Sequence, residues 1–125
     1  MLRVLLDTTV IIDLARGKDE VIGYLNTLLQ TTVLYISVIS MMEILMGARN
    51  KIELQYWSNL IKMCTPVPLS ESVGTIALGL IQEYHHSHGL LIPDALIAAT
   101  ALTEDLPLYT ANKKHFKMIP HLRLY

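Results

Sequence analysis

Three acidic residues in this sequence could do chemistry together: Asp7, Glu43 and Asp94. Asp7 stands where the apolar run 4–6 ends, so we expect it at the carboxyl end of a short buried strand. Glu43 and Asp94 each lie within a further apolar stretch. Mg²⁺ prefers oxygen ligands such as carboxylates, and a bound ion can activate water and stabilise charge on a phosphate. The three acids therefore predict a divalent-metal site at a sheet edge, where open α/β folds form their ligand crevices.

Each acid also has a purely structural explanation. Asp7 could cap the helix that follows it by accepting the free amide hydrogens of the first turn. The spacing of Ser40 and Glu43 matches a capping box. Asp94 follows Pro93 in a first helical turn, where the helix dipole favours a carboxylate by about 0.3–1 kcal/mol. Capping needs only one acid per helix, so the three acids taken together favour a shared metal, although spacing alone does not show that they converge.

The composition indicates one folded domain spanning residues 1–125. Hydrophobic residues make up 52% of the chain and charged residues 17%, which predicts a sizeable core. Cys64 is the only cysteine, so an internal disulfide and a multi-cysteine zinc site are excluded. The formal net charge of −1 gives no global basic field. Because charged residues interrupt every stretch of membrane-spanning length, and Asp7 falls where a signal peptide would be apolar, we expect a cytoplasmic protein without a membrane partner.

Strands alternate with helices along the chain. The predicted strands cover residues 3–6, 33–36, 66–68, 108–109 and 122–124. The predicted helices cover residues 9–16, 20–30, 37–48, 51–63, 72–86 and 93–101. This alternation is typical of an α/β fold in which helices flank a central, mainly parallel sheet.

Four segments of the chain follow one another in an order that resembles a known family. They are residues 5–13 (LLDTTVIID), 36–47 (ISVISMMEILMG), 93–102 (PDALIAATAL) and 110–116 (TANKKHF). In this order they resemble the PIN domains, and especially the VapC-type toxins of bacterial and archaeal toxin–antitoxin pairs. The resemblance spans essentially the whole chain.

The resemblance implies a PIN-like three-layer sandwich and a metal-dependent endoribonuclease that uses Mg²⁺ or Mn²⁺. Its partners are then an RNA substrate, a cognate antitoxin and a second copy of the chain in a homodimer. The three acids match the acidic metal-site positions of the family. The polar residues that match positions around that site, or that support the substrate, are Thr8, Thr9, Thr110, Asn112, Lys113 and His115. Asp13 fits the opening pattern too, but we interpret it as a helix charge near Arg16.

One position departs from the family pattern. Many members have a fourth acid where this chain has His115. A neutral imidazole is a poorer Mg²⁺ ligand than a carboxylate, so both one and two metal ions stay open. With Lys113 and Lys114 beside it, His115 is predicted to contact phosphate, and the alternative is a solvated basic loop.

Other interpretations stay open at this point. A receiver-like signalling domain has a similar length and alternation, but it needs a close acidic pair after the first strand, which the sequence Asp7-Thr8-Thr9 does not provide. A catalytically silent binding module would keep the fold and use the acids as caps. The segment 56–63 could offer apolar area to an antitoxin, or it could simply fill the core.

Overall fold

The computed structural model describes residues 1–17 and 21–125. Within them the chain forms four strands: β1 (Leu2–Leu6), β2 (Thr32–Ser37), β3 (Thr65–Val67) and β4 (Leu108–Tyr109). It also forms six α-helices: α1 (Thr8–Gly17), α2 (Val21–Leu29), α3 (Val38–Met46), α4 (Lys51–Ile61), α5 (Glu71–His88) and α6 (Ile92–Thr103). A single 3₁₀ turn covers Lys113–His115. Among the described helices, none combines the length and the apolar character that crossing a membrane requires.

The four strands form one sheet in the order β3-β2-β1-β4, and every neighbouring pair is parallel. Leu6 at the end of β1 lies opposite Ile36 of β2 and Tyr109 of β4. Because the strands are parallel, their carboxyl ends meet at one edge of the sheet. Asp7, which follows Leu6, and Thr110, which follows Tyr109, are therefore neighbours at that edge.

Alternation along β1 divides the core into two layers. Val4 and Leu6 pack with helices α1 to α4, whereas Leu5 packs with α5, α6 and the segment that carries Phe116. Val4, Leu5 and Leu6 are all fully buried. Burial of a side chain of this size stabilises a fold by about 1.5–3 kcal/mol. The predicted three-layer α/β sandwich with a parallel central sheet is confirmed.

Most predicted elements are present, with ends that move by one or two residues. The exception is the predicted strand 122–124, which is wrong: only Leu124 forms an isolated parallel bridge, to Leu108. The alternating apolar pattern there reflects partial burial of Leu122 and Leu124 against the core rather than a paired strand. The predicted start of the second helix at Glu20 lies outside the described residues.

The predicted capping box at Ser40 is also wrong. Helix α3 is capped by Ser37, whose hydroxyl oxygen accepts a hydrogen bond from the Ser40 amide at 3.1 Å. Ser40 is fully buried inside the helix, and Glu43 lies a turn and a half beyond the cap. Glu43 is therefore not needed to begin the helix, which removes its structural explanation.

The segment 56–63 is mostly core rather than surface. Leu60 and Ile61 are buried, and Trp57 and Met63 pack partly buried against the same layer. Only Tyr56 is an exposed large apolar residue within it. The exposed apolar side chains of this region belong to α3 and α4: Met42, Met46, Ile52, Leu54 and Tyr56.

Candidate active site

The side chain of Asp7 is held in place by hydroxyl groups. Asp7 is only 2% exposed, and its Oδ2 atom accepts hydrogen bonds from Thr9 Oγ1 at 2.8 Å and Thr110 Oγ1 at 2.7 Å. Thr9 lies in the first turn of α1, and Thr110 directly follows β4. A buried carboxylate without such partners would pay a large desolvation cost. The hydroxyls fix its orientation, so its role is not simply to cap α1.

Glu43 approaches the same edge of the sheet from α3. Its Oε1 atom accepts a hydrogen bond of 2.8 Å from the hydroxyl of Thr8, the first residue of α1. Thr8 is buried, whereas Glu43 itself is exposed. The contact ties the middle of α3 to the start of α1 and places Glu43 beside the residue that follows Asp7.

Asp94 comes from the first turn of α6, next to Pro93 at the helix start. Its Oδ2 atom lies 3.5 Å from Nδ1 of His115. Burial raises the pKa of the Asp94 carboxyl, and the negative charge of Asp7 and, more weakly, that of Glu43 raise it further, while His115 lowers it. The three acids thus lie close enough to share one electrostatic environment, although they come from three separate elements.

Each of the three carboxylates uses one oxygen atom in these contacts. The engaged atoms are Oδ2 of Asp7, Oε1 of Glu43 and Oδ2 of Asp94. Within the described residues, their second oxygen atoms have no hydrogen-bond partner and are available as ligands. Protein groups that orient a metal ligand through its other atom are a regular feature of metal sites.

This set of donors fits a hard divalent cation. Mg²⁺ takes oxygen ligands and keeps several waters, so a few carboxylates suffice to hold it. In residues 1–17 and 21–125, no group of three or more His, Cys, Asp or Glu side chains is already drawn together into a metal-binding cluster. Mg²⁺ can be bound by some carboxylates directly and by others through its water molecules, so the acids need not form such a cluster to hold it.

A cleft of about 540 Å³ opens beside the acids. It is lined by the segment that follows β4: Thr110, Ala111, Asn112, Lys113, Lys114 and His115. The hydroxyl oxygen of Thr110 accepts a hydrogen bond from the Asn112 amide at 3.0 Å, while the same hydroxyl donates a hydrogen bond to Asp7 Oδ2. The Ala111 amide donates to Thr9 Oγ1 at 3.2 Å. These bonds join the floor of the cleft to the ligands of the candidate metal.

The structure therefore brings every predicted site residue to one edge of the sheet. Thr8, Thr9 and Thr110 bind the acids directly, whereas Asn112 contributes its backbone amide and lines the cleft. Asp13 is exposed on α1, and its predicted partner Arg16 lies where side chains are not described.

Ser37 is a supporting residue that was missed in the sequence. It is fully buried at the end of β2 and begins the helix that carries Glu43. The signal that could have found it is the end of the apolar strand 33–36, directly before the first of the two serines.

A model of the PIN domain family matches residues 4–122. The chain belongs to the PIN domain family. Ribonuclease VapC10 of Mycobacterium tuberculosis is 32% identical to it over 121 residues, which cover 96% of this chain and 90% of the relative. The match decides against the receiver-like alternative.

Solved structures agree with this family. A toxin–antitoxin complex from Klebsiella pneumoniae contains a chain that is 31% identical, with a TM-score of 0.75, over 95% of this chain and 94% of that chain. VapBC-1 from nontypeable Haemophilus influenzae has the same fold, with a TM-score of 0.80 at 22% identity over 99% of this chain and 97% of that one. The PIN fold predicted from the four segments is confirmed.

Proposed function

We propose that this PIN domain is a metal-dependent endoribonuclease that hydrolyses RNA phosphodiester bonds, and that it is the toxin component of a toxin–antitoxin pair. The observation that carries the proposal is the position of Asp7, Glu43 and Asp94, which come from three elements to one edge of the sheet and, within the described residues, each keep one carboxylate oxygen free of hydrogen bonds. Relatives of this chain are named Ribonuclease VapC, and similar chains occur in toxin–antitoxin complexes. Both findings support the same activity.

The three carboxylates would hold Mg²⁺ or Mn²⁺. When bound, such an ion supplies water activation and neutralises charge at the scissile phosphodiester. The protein then needs no nucleophilic serine or cysteine, and the single cysteine, Cys64, is indeed buried in the core away from the acids. Burial raises the pKa of its thiol to about 11, so Cys64 is not a nucleophile.

The remaining site residues position the acids and the substrate. The hydroxyls of Thr9 and Thr110 orient Asp7, and Thr8 orients Glu43. Lys113 and His115, which line the adjacent cleft, would bind the phosphates of the RNA strand. An anionic substrate thus meets the Lys113 ammonium beside the acids rather than the acids alone.

The test is cleavage of RNA by purified protein with and without divalent metal. We expect the wild-type protein to cut RNA in Mg²⁺ or Mn²⁺ and to stop in EDTA. Asp7→Asn should lower the rate by more than about 10²-fold while the fold is kept, because losing a metal ligand costs more than losing a group that only orients one. Asp13→Asn is the matched control, since Asp13 is an exposed acid on the neighbouring helix α1.

The alternative that the acids serve only as caps in a catalytically silent binding module makes the opposite prediction. If this alternative is correct, the purified wild-type protein does not cleave RNA, so Asp7→Asn has no cleavage to remove. Cutting by the Asp7→Asn protein at the wild-type rate, with contaminating nucleases excluded, would contradict the assignment of the acids instead.

We further propose that the protein forms a homodimer and is held inactive by a small antitoxin protein. The exposed apolar side chains Met42 and Met46 of α3 and Ile52 and Tyr56 of α4 offer the antitoxin a surface. Met42 directly precedes Glu43, so a segment bound there would exclude RNA from the acids. An RNA substrate and an inhibitor made in the same cell would be met in the cytoplasm, so the cytoplasm stays our predicted compartment.

Light scattering at micromolar concentration tests the dimer, and co-expression with the neighbouring open reading frame tests the inhibitor. We expect a particle of twice the chain mass and relief of growth arrest by the partner. Met46→Arg should weaken inhibition without changing cleavage, because it buries a charge in the proposed interface. A strictly monomeric protein whose expression alone leaves growth and RNA intact would contradict the toxin proposal and leave the fold untouched.

A further inference from the structure

Three tyrosines from distant parts of the chain meet beside the candidate active site. The hydroxyls of Tyr24 in α2 and Tyr109 in β4 lie 3.5 Å apart. The ring of Tyr125 packs edge-on against Tyr109, with 5.0 Å between the ring centroids. The chain has six tyrosines, so half of them converge here. We call Tyr24, Tyr109 and Tyr125 the tyrosine platform.

Hydrogen bonds of the backbone hold Tyr125 beside Tyr109. Tyr125 donates its backbone N–H to the carbonyl of Leu108 at 2.8 Å, and Leu108 donates to the carbonyl of Arg123 at 2.8 Å. The guanidinium of Arg123 is in turn bound to Asp105 at 2.9 Å. The hydrogen bond with Tyr24, together with burial, raises the pKa of Tyr109 to about 12, so the phenol stays neutral at physiological pH.

The platform is partly open to solvent. Tyr24 is 44% exposed and Tyr125 is 43% exposed. Aromatic side chains have few rotatable bonds and lose little conformational entropy when they bind a flat partner, which makes them effective anchors. Exposed aromatic rings that already contact one another are therefore suited to binding such a partner.

The platform also adjoins the acids. The carbonyl of Tyr109 accepts the backbone N–H of Asp7 at 2.9 Å, and the next residue, Thr110, binds the Asp7 carboxylate. On the other side of Thr110 lies the cleft with Lys113 and His115. The platform and the cleft thus lie on either side of Thr110 along the chain, at the edge of the sheet that carries Asp7.

We propose that the tyrosine platform stacks an unpaired base of the RNA substrate, next to the nucleotide whose phosphate lies at the acids. This inference rests on the proposed function and assigns one base of the substrate a place on the three tyrosines. Bases stack on aromatic side chains whatever their identity, whereas a base inside a duplex is already stacked and paired. The cleft residues Lys113 and Lys114 match the negative charge of the strand that leaves the platform.

The first experiment compares two RNA strands on the wild-type protein in EDTA, so that nothing is cut. One is a labelled single-stranded uridine oligonucleotide, and the other is the same ribose-phosphate strand without bases. Because the two carry the same phosphates, only contacts to bases separate their affinities. We expect anisotropy titrations to give the strand with bases a roughly fivefold to hundredfold lower Kd, and the uridine strand annealed to its complement to lose that advantage.

The second experiment assigns this difference to the platform. Tyr24→Leu keeps an apolar, helix-compatible side chain but removes the ring, so the advantage of the strand with bases should shrink by roughly fivefold or more. Tyr24→Phe keeps the ring and should stay within about twofold of wild type. Tyr84→Leu is the matched control, because Tyr84 lies on α5 and packs with the other core layer than Tyr109 does.

A third measurement needs no variant. A strand that contains 4-thiouridine, irradiated on the wild-type protein, should crosslink to Tyr24 or Tyr125 and not to Tyr84. Crosslinks found only outside the platform, or equal affinity for the strands with and without bases, would overturn the inference.

The outcomes separate this inference from the nuclease proposal. A wild-type protein that cleaves RNA but binds both strands equally refutes the platform and leaves the nuclease proposal standing. A protein that prefers the strand with bases, loses this preference in Tyr24→Leu and cleaves nothing supports the platform and refutes the nuclease proposal.

Discussion

The acidic and basic sides of the candidate active site differ in how firmly the fold holds them. Asp7 is buried and bound by two hydroxyls, one from α1 and one from the end of β4. Lys113, Lys114 and His115 form a short 3₁₀ turn whose side chains are exposed. The acids are thus oriented before any substrate arrives, as a metal site requires. The exposed basic turn suits the proposed contacts with RNA phosphates, which attract the strand without defining the chemistry.

This difference predicts that changes on the acidic side lower the rate of cleavage and changes on the basic side weaken RNA binding. Among substitutions that keep all three carboxylates, Thr110→Val should lower the rate of cleavage most. The substitution keeps the shape but removes the hydroxyl that donates to Asp7 Oδ2 at 2.7 Å. We expect a roughly tenfold to hundredfold loss of kcat or of metal affinity, measured by cleavage rates across a Mn²⁺ titration.

Thr103→Val is the matched control for this change. The hydroxyl of Thr103 is buried and, within the described residues, has no hydrogen-bond partner. Its removal should leave cleavage unchanged and should stabilise the fold by about 1 kcal/mol. If Thr110→Val and Thr103→Val changed kcat equally, the Thr110 hydroxyl would not act by positioning Asp7.

Replacing His115 with Asp tests where the two sides meet. Nδ1 of His115 lies 3.5 Å from Asp94 Oδ2, so an aspartate there places a fourth carboxylate beside the three acids. We expect calorimetry to show stronger binding of a second metal ion than in the wild-type protein, because Mg²⁺ and Mn²⁺ prefer oxygen to imidazole nitrogen. An unchanged stoichiometry and affinity would speak against His115 as the reason for a weak second site.

Lys113→Ala should have a smaller effect, confined to RNA binding. Lys113 is exposed in the cleft, so its removal should weaken binding of all RNA sequences alike and reduce the slope of log K against log salt by about one. Lys62→Ala serves as the control, since Lys62 is exposed at the end of α4. A fall in kcat with KM unchanged would place Lys113 among the groups that do chemistry.

The smallest effect concerns stability. Burial, followed by the charges of Asp7 and Glu43, raises the pKa of Asp94 above its ordinary value of 3.8. The folded protein therefore holds this proton more tightly than the unfolded chain does, and the stability gained below the ordinary pKa is lost as pH rises through the folded pKa. Ionised Asp94 thus destabilises the metal-free protein at neutral pH.

We expect Asp94→Asn to raise the Tm of the metal-free protein at neutral pH by a few degrees, and to lose the stabilisation that Mg²⁺ gives the wild-type protein. The gain over wild type should vanish in acid, where Asp94 is protonated in both states. Asp13→Asn, which changes an exposed acid, is the control. A variant less stable than wild type at neutral pH without metal would contradict the repulsion among the three acids.

The sequence predicts the position of Asp7 and Asp94 from local signals alone. An apolar run that stops at an acid marks the end of a strand, and Pro93 marks a helix start. For Glu43 the local signal misleads, because Ser37 and Ser40 both look like caps and only the length of β2 decides between them. Glu43 was grouped with the other acids because it too lies within an apolar stretch, and the ordered resemblance to PIN domains supports that grouping.

Contacts between distant parts of the chain are what the sequence does not reveal. Residues 122–124 have the alternation of a strand, yet only one bridge forms, because β4 has just two residues with which to pair. No pattern in the sequence connects Tyr24, Tyr109 and Tyr125. These side chains come together only because α2 and the segment after Arg123 pack beside β4. Their position next to Asp7 is a property of the fold.

The most direct test of the metal-dependent site is a crystal structure of the protein soaked in Mn²⁺, with anomalous data that locate the ion. We predict an ion at the carboxyl edge of the sheet, bound directly by Asp7 and Asp94 at about 2.1 Å and by Glu43 either directly or through a water. The same soak of Asp7→Asn should leave that position empty. Anomalous density only at other sites, with the three carboxylates unchanged, would contradict the proposal that they form the catalytic metal site.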